Sequence, residues 1–256
     1  SEMKTYKIVF SPTGGTLKVA NVFATAIGSD IIQIDLTNSK TNFNTFSFCS
    51  DDVCIIAVPS YGGRVPAVAV SRLRQLRGGQ ARAILISVYG NRAYEDTLLE
   101  LKDTLLAMDF RCVSGVAAIA EHSIMRNFAA ARPDETDLEE LKSFAQKIVE
   151  KLRNNDVAEN LVLPGKSPYR QYNGVPMKPA AGRKCIKCGL CAVNCPVEAI
   201  PVTTPNETDR TKCISCMRCI SICPSKARTV NQLLLAVGVQ KMKKTCGKYK
   251  HNELFL

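Results

Sequence analysis

The sequence predicts an α/β protein with a doubly wound, five-stranded parallel sheet, followed by a small cysteine-rich α+β domain. Two observations support this fold class. Over residues 1–155, short apolar runs alternate with segments of helical periodicity, which is typical of strands covered by helices on both faces. Eight of the twelve cysteines then fall within residues 185–223. A chain of 256 residues is long enough for both units.

Five runs rich in apolar and β-branched residues predict the strands of the sheet. They cover residues 6–10, 31–36, 53–58, 81–88 and 112–119. Helices are predicted after the first, third and fourth of these strands, the second of them ending near residue 77, and again over residues 137–152. Strands that alternate with helices run parallel, so their carboxyl ends meet at one edge of the sheet, which is where such folds bind ligands.

Three turns at these carboxyl ends carry residues suited to ligand binding. The first turn, Ser11-Pro12-Thr13-Gly14-Gly15-Thr16, lies between a strand and a helix. Its glycines let backbone N–H groups approach a ligand, its threonines supply hydroxyls, and the helix N-terminus favours negative charge. We therefore predict an anion site here, although an ordinary turn with a Ser or Thr helix cap has the same residues.

The second and third turns add aromatic rings at the same edge. The second contains Pro59, Ser60, Tyr61, Gly62 and Gly63, and the third contains Tyr89, Gly90, Asn91, Arg92 and Tyr94. Together the three turns resemble the ligand loops of flavodoxins over residues 5–155. The resemblance implies bound FMN, with its phosphate in the first loop, Tyr61 against the isoalloxazine ring and the third loop at the flavin edge. Simple loop packing is the alternative role of these tyrosines.

The cysteine-rich segment contains one motif twice. Cys185, Cys188, Cys191 and Cys195 precede Pro196, and Cys213, Cys216, Cys219 and Cys223 precede Pro224 with identical spacing. Such runs bind two [4Fe–4S] clusters, and the fourth cysteine of each run ligates the other cluster. We predict cluster I at Cys185, Cys188, Cys191 and Cys223, and cluster II at Cys213, Cys216, Cys219 and Cys195. Zinc or a disulfide framework is less consistent with repeated cysteine triplets. The segment resembles a bacterial-type two-cluster ferredoxin.

The predicted organisation has four parts. A flavodoxin-like domain covers residues 1–155, a Pro- and Gly-rich linker covers 156–182, the ferredoxin-like domain covers 183–228, and a helix with a basic tail covers 229–256. The final Leu254, Phe255 and Leu256 are apolar, so we expect this end to be docked rather than loose. No run approaches the ~18 apolar residues of a membrane span. With no secretory leader visible, a cytoplasmic location is expected.

Charge divides unevenly along the chain. Residues 1–160 carry 18 Lys and Arg against 19 Asp and Glu, whereas residues 161–256 carry 16 against 4. The basic half predicts an acidic redox protein as partner, with steering by complementary charge. No nucleic-acid-binding motif accompanies the charge, so no specific nucleic acid is expected. The oligomeric state is not indicated.

Both halves and their order resemble flavodoxin–ferredoxin fusion proteins. The resemblance implies an electron relay between FMN and two [4Fe–4S] clusters, serving a redox partner. The alternative is an FMN-dependent reductase that uses NAD(P)H or a small acceptor at the flavin. No second G-x-G-x-x-G fingerprint follows a strand, which favours the relay. Neither His122 nor His251 is paired in sequence with a nucleophile or base, so no catalytic residue is assigned.

Overall fold

The computed structural model describes residues 3–154 and 160–256. The sheet is built on five parallel strands, β1 (Thr5–Val9), β2 (Ile31–Asp35), β3 (Val53–Pro59), β4 (Arg82–Tyr89) and β5 (Arg111–Ile119). Their spatial order is β2-β1-β3-β4-β5. This is the strand order of flavodoxin-like folds, in which ligands bind at the switch point between β1 and β3. The fold class predicted from the sequence is confirmed.

Four helices cover the two faces of the sheet. They are α1 (Gly15–Ile27), α2 (Ala67–Leu73), α3 (Thr97–Ala107) and α4 (Glu135–Arg153), with a 3-10 turn at Phe43–Thr45. Helices α1 and α4 pack on one face, and α2 and α3 pack on the other. Ile55 and Ile56 of β3 are both fully buried on opposite faces, as expected of a central strand between two helical layers.

Helix α2 ends four residues before the predicted end. Beyond Leu73 the backbone tightens, and the N–H groups of Gln75 and Leu76 donate to carbonyls three residues earlier. Leu76 is thereby turned into the core, where it is buried. Leu76 therefore belongs to the turn that follows the helix.

The C-terminal half contains short elements around the cysteines. They are β6 (Ala180–Ala181), α5 (Leu190–Val193), α6 (Arg218–Ser221), β7 (Arg228–Thr229), α7 (Gln232–Cys246) and β8 (Glu253–Phe255). Strands β6 and β7 form an antiparallel pair. Helices α5 and α6 occupy equivalent places in the two cysteine motifs, so the sequence repeat is also a structural repeat.

Strand β8 adds a sixth, antiparallel strand to the edge of the sheet beside β5. The buried Asn252 fixes it, because its Oδ1 accepts the N–H of Ile119 at 3.0 Å and its Nδ2 donates to Asp137 Oδ1 at 3.0 Å. The apolar end of the chain is thus docked, as predicted. The prediction of a five-stranded sheet missed this strand.

Residues 160–182 lie against the flavodoxin-like domain. Leu161 and Leu163 are buried in its core, and the carboxylate of Asp96 accepts the N–H groups of Lys166 and Arg170 at 2.9 Å and 2.7 Å. The predicted boundary at residues 155 and 156 falls outside the described residues. No helix within the described ranges is long and apolar enough to cross a membrane.

Candidate functional site

The first predicted loop leads into a helix N-terminus whose N-cap residue, Gly14, provides no side-chain cap. Gly14 adopts a φ of 96° before α1, and the helix has neither a side-chain cap at this position nor an acidic residue in its first turn. Ser11 stabilises the turn, because its Oγ accepts the N–H of Leu17 at 3.0 Å. Thr13, Gly15 and Thr16 line the cavity described below, whereas Ser11 does not. The loop is thus suited to an anion.

The second loop depends on glycine. Gly62 and Gly63 have φ values of 58° and 81°, in the left-handed region that favours glycine. A Cβ on Gly62 would overlap the ring of Tyr172, which packs directly on this backbone. Pro59, Ser60, Tyr61 and Gly62 line the cavity, whereas Gly63 lies beside Glu95 outside it. Tyr172 therefore fixes the course of the second loop.

Some residues of the third loop line the cavity, and others bind the C-terminal segment. Tyr89, Gly90 and Arg92 line the cavity. Asn91 is buried and turns away, and its Nδ2 donates to the carbonyls of Cys246 and Lys248, both at 2.7 Å. Tyr94 also points elsewhere, because its hydroxyl donates to Glu253 Oε2 at 2.9 Å. These two predicted contact residues instead hold the C-terminal segment in place.

Around these loops the protein encloses a cavity of about 460 Å³. This lies within the roughly 300–1,000 Å³ typical of small-molecule sites. Much of its wall comes from segments that sequence reasoning did not assign to the site, namely Tyr172, Val175 and Met177 before the cysteines, Ile214 and Ser215 between two cysteines, and Leu234, Val237, Lys241 and Met242 of α7. A helix was predicted within residues 229–256, but the sequence pattern alone could not reveal what that helix covers.

His122 also lines the cavity, at the carboxyl end of β5. Its Nδ1 accepts the N–H groups of Ile124 and Met125 at 3.2 Å and 3.1 Å. Burial, together with the smaller effect of the Arg92 charge, lowers the pKa of His122 to about 4. The imidazole is therefore neutral near pH 7, with its proton on Nε2. The sequence did not indicate this position for His122.

The eight motif cysteines surround two separate small cavities. Cys185, Cys188, Cys191 and Cys223 line one, and Cys195, Cys213, Cys216 and Cys219 line the other. These are the two crosswise sets predicted from the spacing. All twelve cysteines lie in the described ranges, and none forms a disulfide. Within those ranges, no three His, Cys, Asp or Glu side chains gather around a single metal-ion position.

The cavity of the cluster II cysteines adjoins the large cavity. Ile214 lines both. Burial raises the pKa of Tyr61 well above its usual value, and the nearby Cys216 raises it further. Arg218 ties the cysteine loop to the first predicted loop, since its Nη1 donates to the carbonyl of Pro12 at 3.1 Å. The structure therefore places the second cysteine motif against the ligand loops of the first domain.

Comparisons with known proteins concern the two halves of the chain separately. Residues 184–227 match the family described as 4Fe-4S dicluster domain. No curated protein matches the chain. Solved structures with a similar fold include a flavodoxin from Streptococcus pneumoniae, with 18% identity over 58% of this chain and 98% of the flavodoxin, at a TM-score of 0.41. Flavodoxin 2 from Bacillus cereus has 14% identity over 58% of this chain and 99% of its own, at 0.42.

An NADH:FMN oxidoreductase in its apo form is also similar, with 15% identity over 58% of this chain and 89% of its own, at a TM-score of 0.43. At these identities the likeness concerns the fold alone. The chain joins a flavodoxin-like α/β domain to a C-terminal 4Fe-4S dicluster domain, which makes it a redox protein. The fusion expected from the sequence is thus confirmed.

Proposed function

We propose that this protein is an electron-transfer relay that binds FMN in the 460 Å³ cavity and two [4Fe–4S] clusters at the crosswise cysteine sets. The observation that carries the proposal is the shared wall between the two kinds of site. Ile214 belongs to both cavities, and Tyr61 lies within electrostatic range of Cys216. Direct adjacency of the two sites is what transfer between a flavin and a cluster requires.

The residue types that line the cavity suit a flavin mononucleotide. The open N-terminus of α1 with Thr13 and Thr16 suits a phosphate, and Tyr61 and Tyr172 offer aromatic surface to a planar ring. His122 adds a neutral N–H donor to the same wall. When bound, FMN accepts electrons singly or in pairs, while each cluster accepts one at a time. The protein residues orient the flavin, exclude water and tune its potential.

The two clusters differ in their distance from the flavin cavity and from the surface. Cluster II is next to the flavin cavity, whereas the cluster I cysteines approach the surface. Cys188 is exposed, and the neighbouring Ile186 and Val193 are 68% and 58% exposed. We therefore place cluster I at the end of the relay that faces the partner.

The rim of cluster I fits an acidic redox protein. Three apolar residues of the first motif are exposed, namely Ile186, Leu190 and Val193, and so are the basic residues Arg183, Lys184, Lys187 and Lys226 in the two cysteine segments. An apolar centre with a charged rim is typical of protein interfaces. Complementary charge raises the association rate of such partners.

The alternative function is a reductase that takes electrons from NAD(P)H at the flavin. Rapid mixing of the anaerobic protein with NADH and NADPH separates the two functions. A relay is expected to show slow flavin reduction without saturation by nucleotide, and rapid reduction by a reduced protein partner. Fast, saturable bleaching of the flavin by either nucleotide would favour the reductase.

The cofactor content is the first prediction. Anaerobic reconstitution with iron, sulfide and FMN is expected to give about eight iron atoms and one flavin per chain, because eight cysteines surround two cavities and three loops surround a third. Metal analysis and flavin release measure both numbers. The matched variant Cys195→Ala is expected to damage cluster II, beside the flavin, although Cys195 belongs to the first motif. About four iron atoms in the intact protein, or no bound flavin, would contradict the proposal.

A further inference from the structure

The two cysteine motifs differ at one buried position. Five residues after the fourth cysteine, the first motif has Ile200 and the second has Arg228. The backbones are equivalent there, because the N–H of Ala199 donates to Cys195 Sγ at 3.3 Å and the N–H of Ala227 donates to Cys223 Sγ at the same distance. The side chains at the next residue are 4% exposed for Ile200 and 2% exposed for Arg228. A guanidinium therefore replaces an alkyl group in the interior.

The two side chains lie at different clusters. Ile200 lines the cavity of cluster II, whereas Arg228 lines the cavity of cluster I. Arg228 also lies within electrostatic range of Cys219, a predicted ligand of cluster II. Its charge therefore lies within range of one cluster II ligand, while its side chain lines the cavity of cluster I.

Arg228 has no carboxylate partner among the described residues. Its Nη1 donates to Thr208 Oγ1 at 2.8 Å, and its Nη2 donates to the carbonyls of Pro205 at 2.6 Å and Glu207 at 3.1 Å. Its buried Nε has no hydrogen-bond partner within residues 3–154 and 160–256. A buried cation is costly unless an opposite charge compensates it. A [4Fe–4S] core with four thiolates carries that opposite charge, and such ions belong to the local electrostatics.

We propose that Arg228 is the built-in counter-ion of cluster I and raises its reduction potential above that of cluster II. This inference rests on the proposed two-cluster relay. A reduced cluster carries one more negative charge than an oxidised one, so a fixed cation beside it favours reduction. An electron exchanged between the two clusters would then be held preferentially at the cluster beside Arg228, with no bond formed and no proton moved.

The test is potentiometric titration of the full-length, reconstituted protein, followed by the electron paramagnetic resonance of the reduced clusters. Wild type is expected to show two one-electron steps at separate potentials. Arg228→Gln keeps donors but removes the charge, so the higher step is expected to move to lower potential and the gap to narrow. Arg228→Lys keeps the charge and is expected to restore most of the gap. Lys226→Gln removes a neighbouring exposed charge and is the matched control.

Several outcomes would overturn the inference. In Arg228→Gln, these are unchanged reduction potentials or an equal shift of both potentials. In the other variants, they are an equally large shift in Lys226→Gln or a gap between the potentials that Arg228→Lys does not restore. If the Arg228→Gln variant loses iron, the Arg228→Ile variant is measured in its place, because isoleucine is the residue at the equivalent position of the first motif, Ile200. Iron loss from the Gln and Ile variants alone is the result expected of a missing counter-charge, whereas loss from the Lys variant too would indicate a geometric role. A wild type without two clusters would instead refute the proposed function.

Discussion

His122 is held neutral by its surroundings. Its Nδ1 accepts two backbone N–H bonds, and a protonated ring would have to donate at that atom instead. Burial adds the cost of removing a charged imidazole from water, which lowers the pKa to about 4. Between this value and the ordinary value of about 6.5, the folded protein binds fewer protons at this site than the unfolded chain. The contribution of His122 to stability therefore falls as the pH falls through that window.

The corresponding prediction concerns the titration of this side chain. In the flavin-free protein, nuclear magnetic resonance of the imidazole nitrogens is expected to show His122 neutral at pH 5, with its proton on Nε2. The chain has two histidines, so the variant His251→Gln assigns the signals. In denaturant His122 is expected to titrate near 6.5. Protonation near 6.5 in the folded protein, or a proton on Nδ1, would contradict this geometry.

At the residue scale, the sequence identified the loops better than the side chains. Strand ends with glycine and hydroxyl residues are a local signal, so Thr13, Tyr61 and Tyr89 were predictable as lining residues. The contacts of Asn91 could not be predicted, because the carbonyls to which its side chain donates belong to residues more than 150 positions later. The loop contacts with the cofactor itself remain predictions.

Helix α7 is the element most dependent on the cavity. Of its 15 residues only Cys246 is buried, while Leu234, Val237 and Met242 line the cavity. Its C-terminal end is attached to the third loop through Asn91, which donates to the carbonyl of the last helical residue, Cys246, and to that of Lys248 just beyond the helix. The Nζ of Lys250 strengthens this attachment, because it donates to the carbonyl of Asn91 at 2.7 Å.

The prediction at this scale is that Asn91→Ala loosens α7 and weakens flavin binding. Losing a buried donor to two carbonyls costs about 1–3 kcal/mol, which corresponds to a loss of flavin affinity of about 5- to 150-fold if α7 must be docked for binding. Flavin fluorescence titration measures the affinity, and hydrogen exchange measures the protection of the α7 amides. Asn44→Ala, an exposed asparagine remote from the cavity, is the control. Normal protection of α7 with unchanged flavin affinity would disprove the role of Asn91.

Helices and strands could be predicted where the sequence has a clear pattern of apolar residues. The five parallel strands and α4 have clear apolar patterns, and their bounds differ from the predicted ones by one or two residues. Strand β8 has three residues and pairs with a strand far back in the chain, so no local pattern distinguishes it from a tail. Its position also explains why α7 crosses the cavity, since the chain must return from the cysteine loops to the sheet edge.

Fewer basic residues are available for docking a partner than the net charge of the C-terminal half suggests. Several basic residues of the C-terminal half are turned inward. Lys178 donates to the carbonyl of Cys213, Lys250 donates to the third loop, and Arg228 is buried beside cluster I. They therefore contribute little to docking. The exposed basic residues that remain near the cluster I cavity include Arg183 and Lys184. The predicted basic docking face is thus narrower than the sequence implied.

The last prediction tests this face. In stopped-flow electron transfer to an acidic ferredoxin, the double variant Arg183→Glu/Lys184→Glu is expected to lower the second-order rate about tenfold at low salt, because charge steering changes association rates by 10-fold or more. The difference is expected to fade towards 1 M salt, as the screening length falls from ~30 Å at 0.01 M to ~3 Å. Lys142→Glu/Lys147→Glu on α4 changes the net charge equally at exposed positions elsewhere and is the control. A rate independent of salt, or a control variant slowed just as much, would show that the partner docks at another surface.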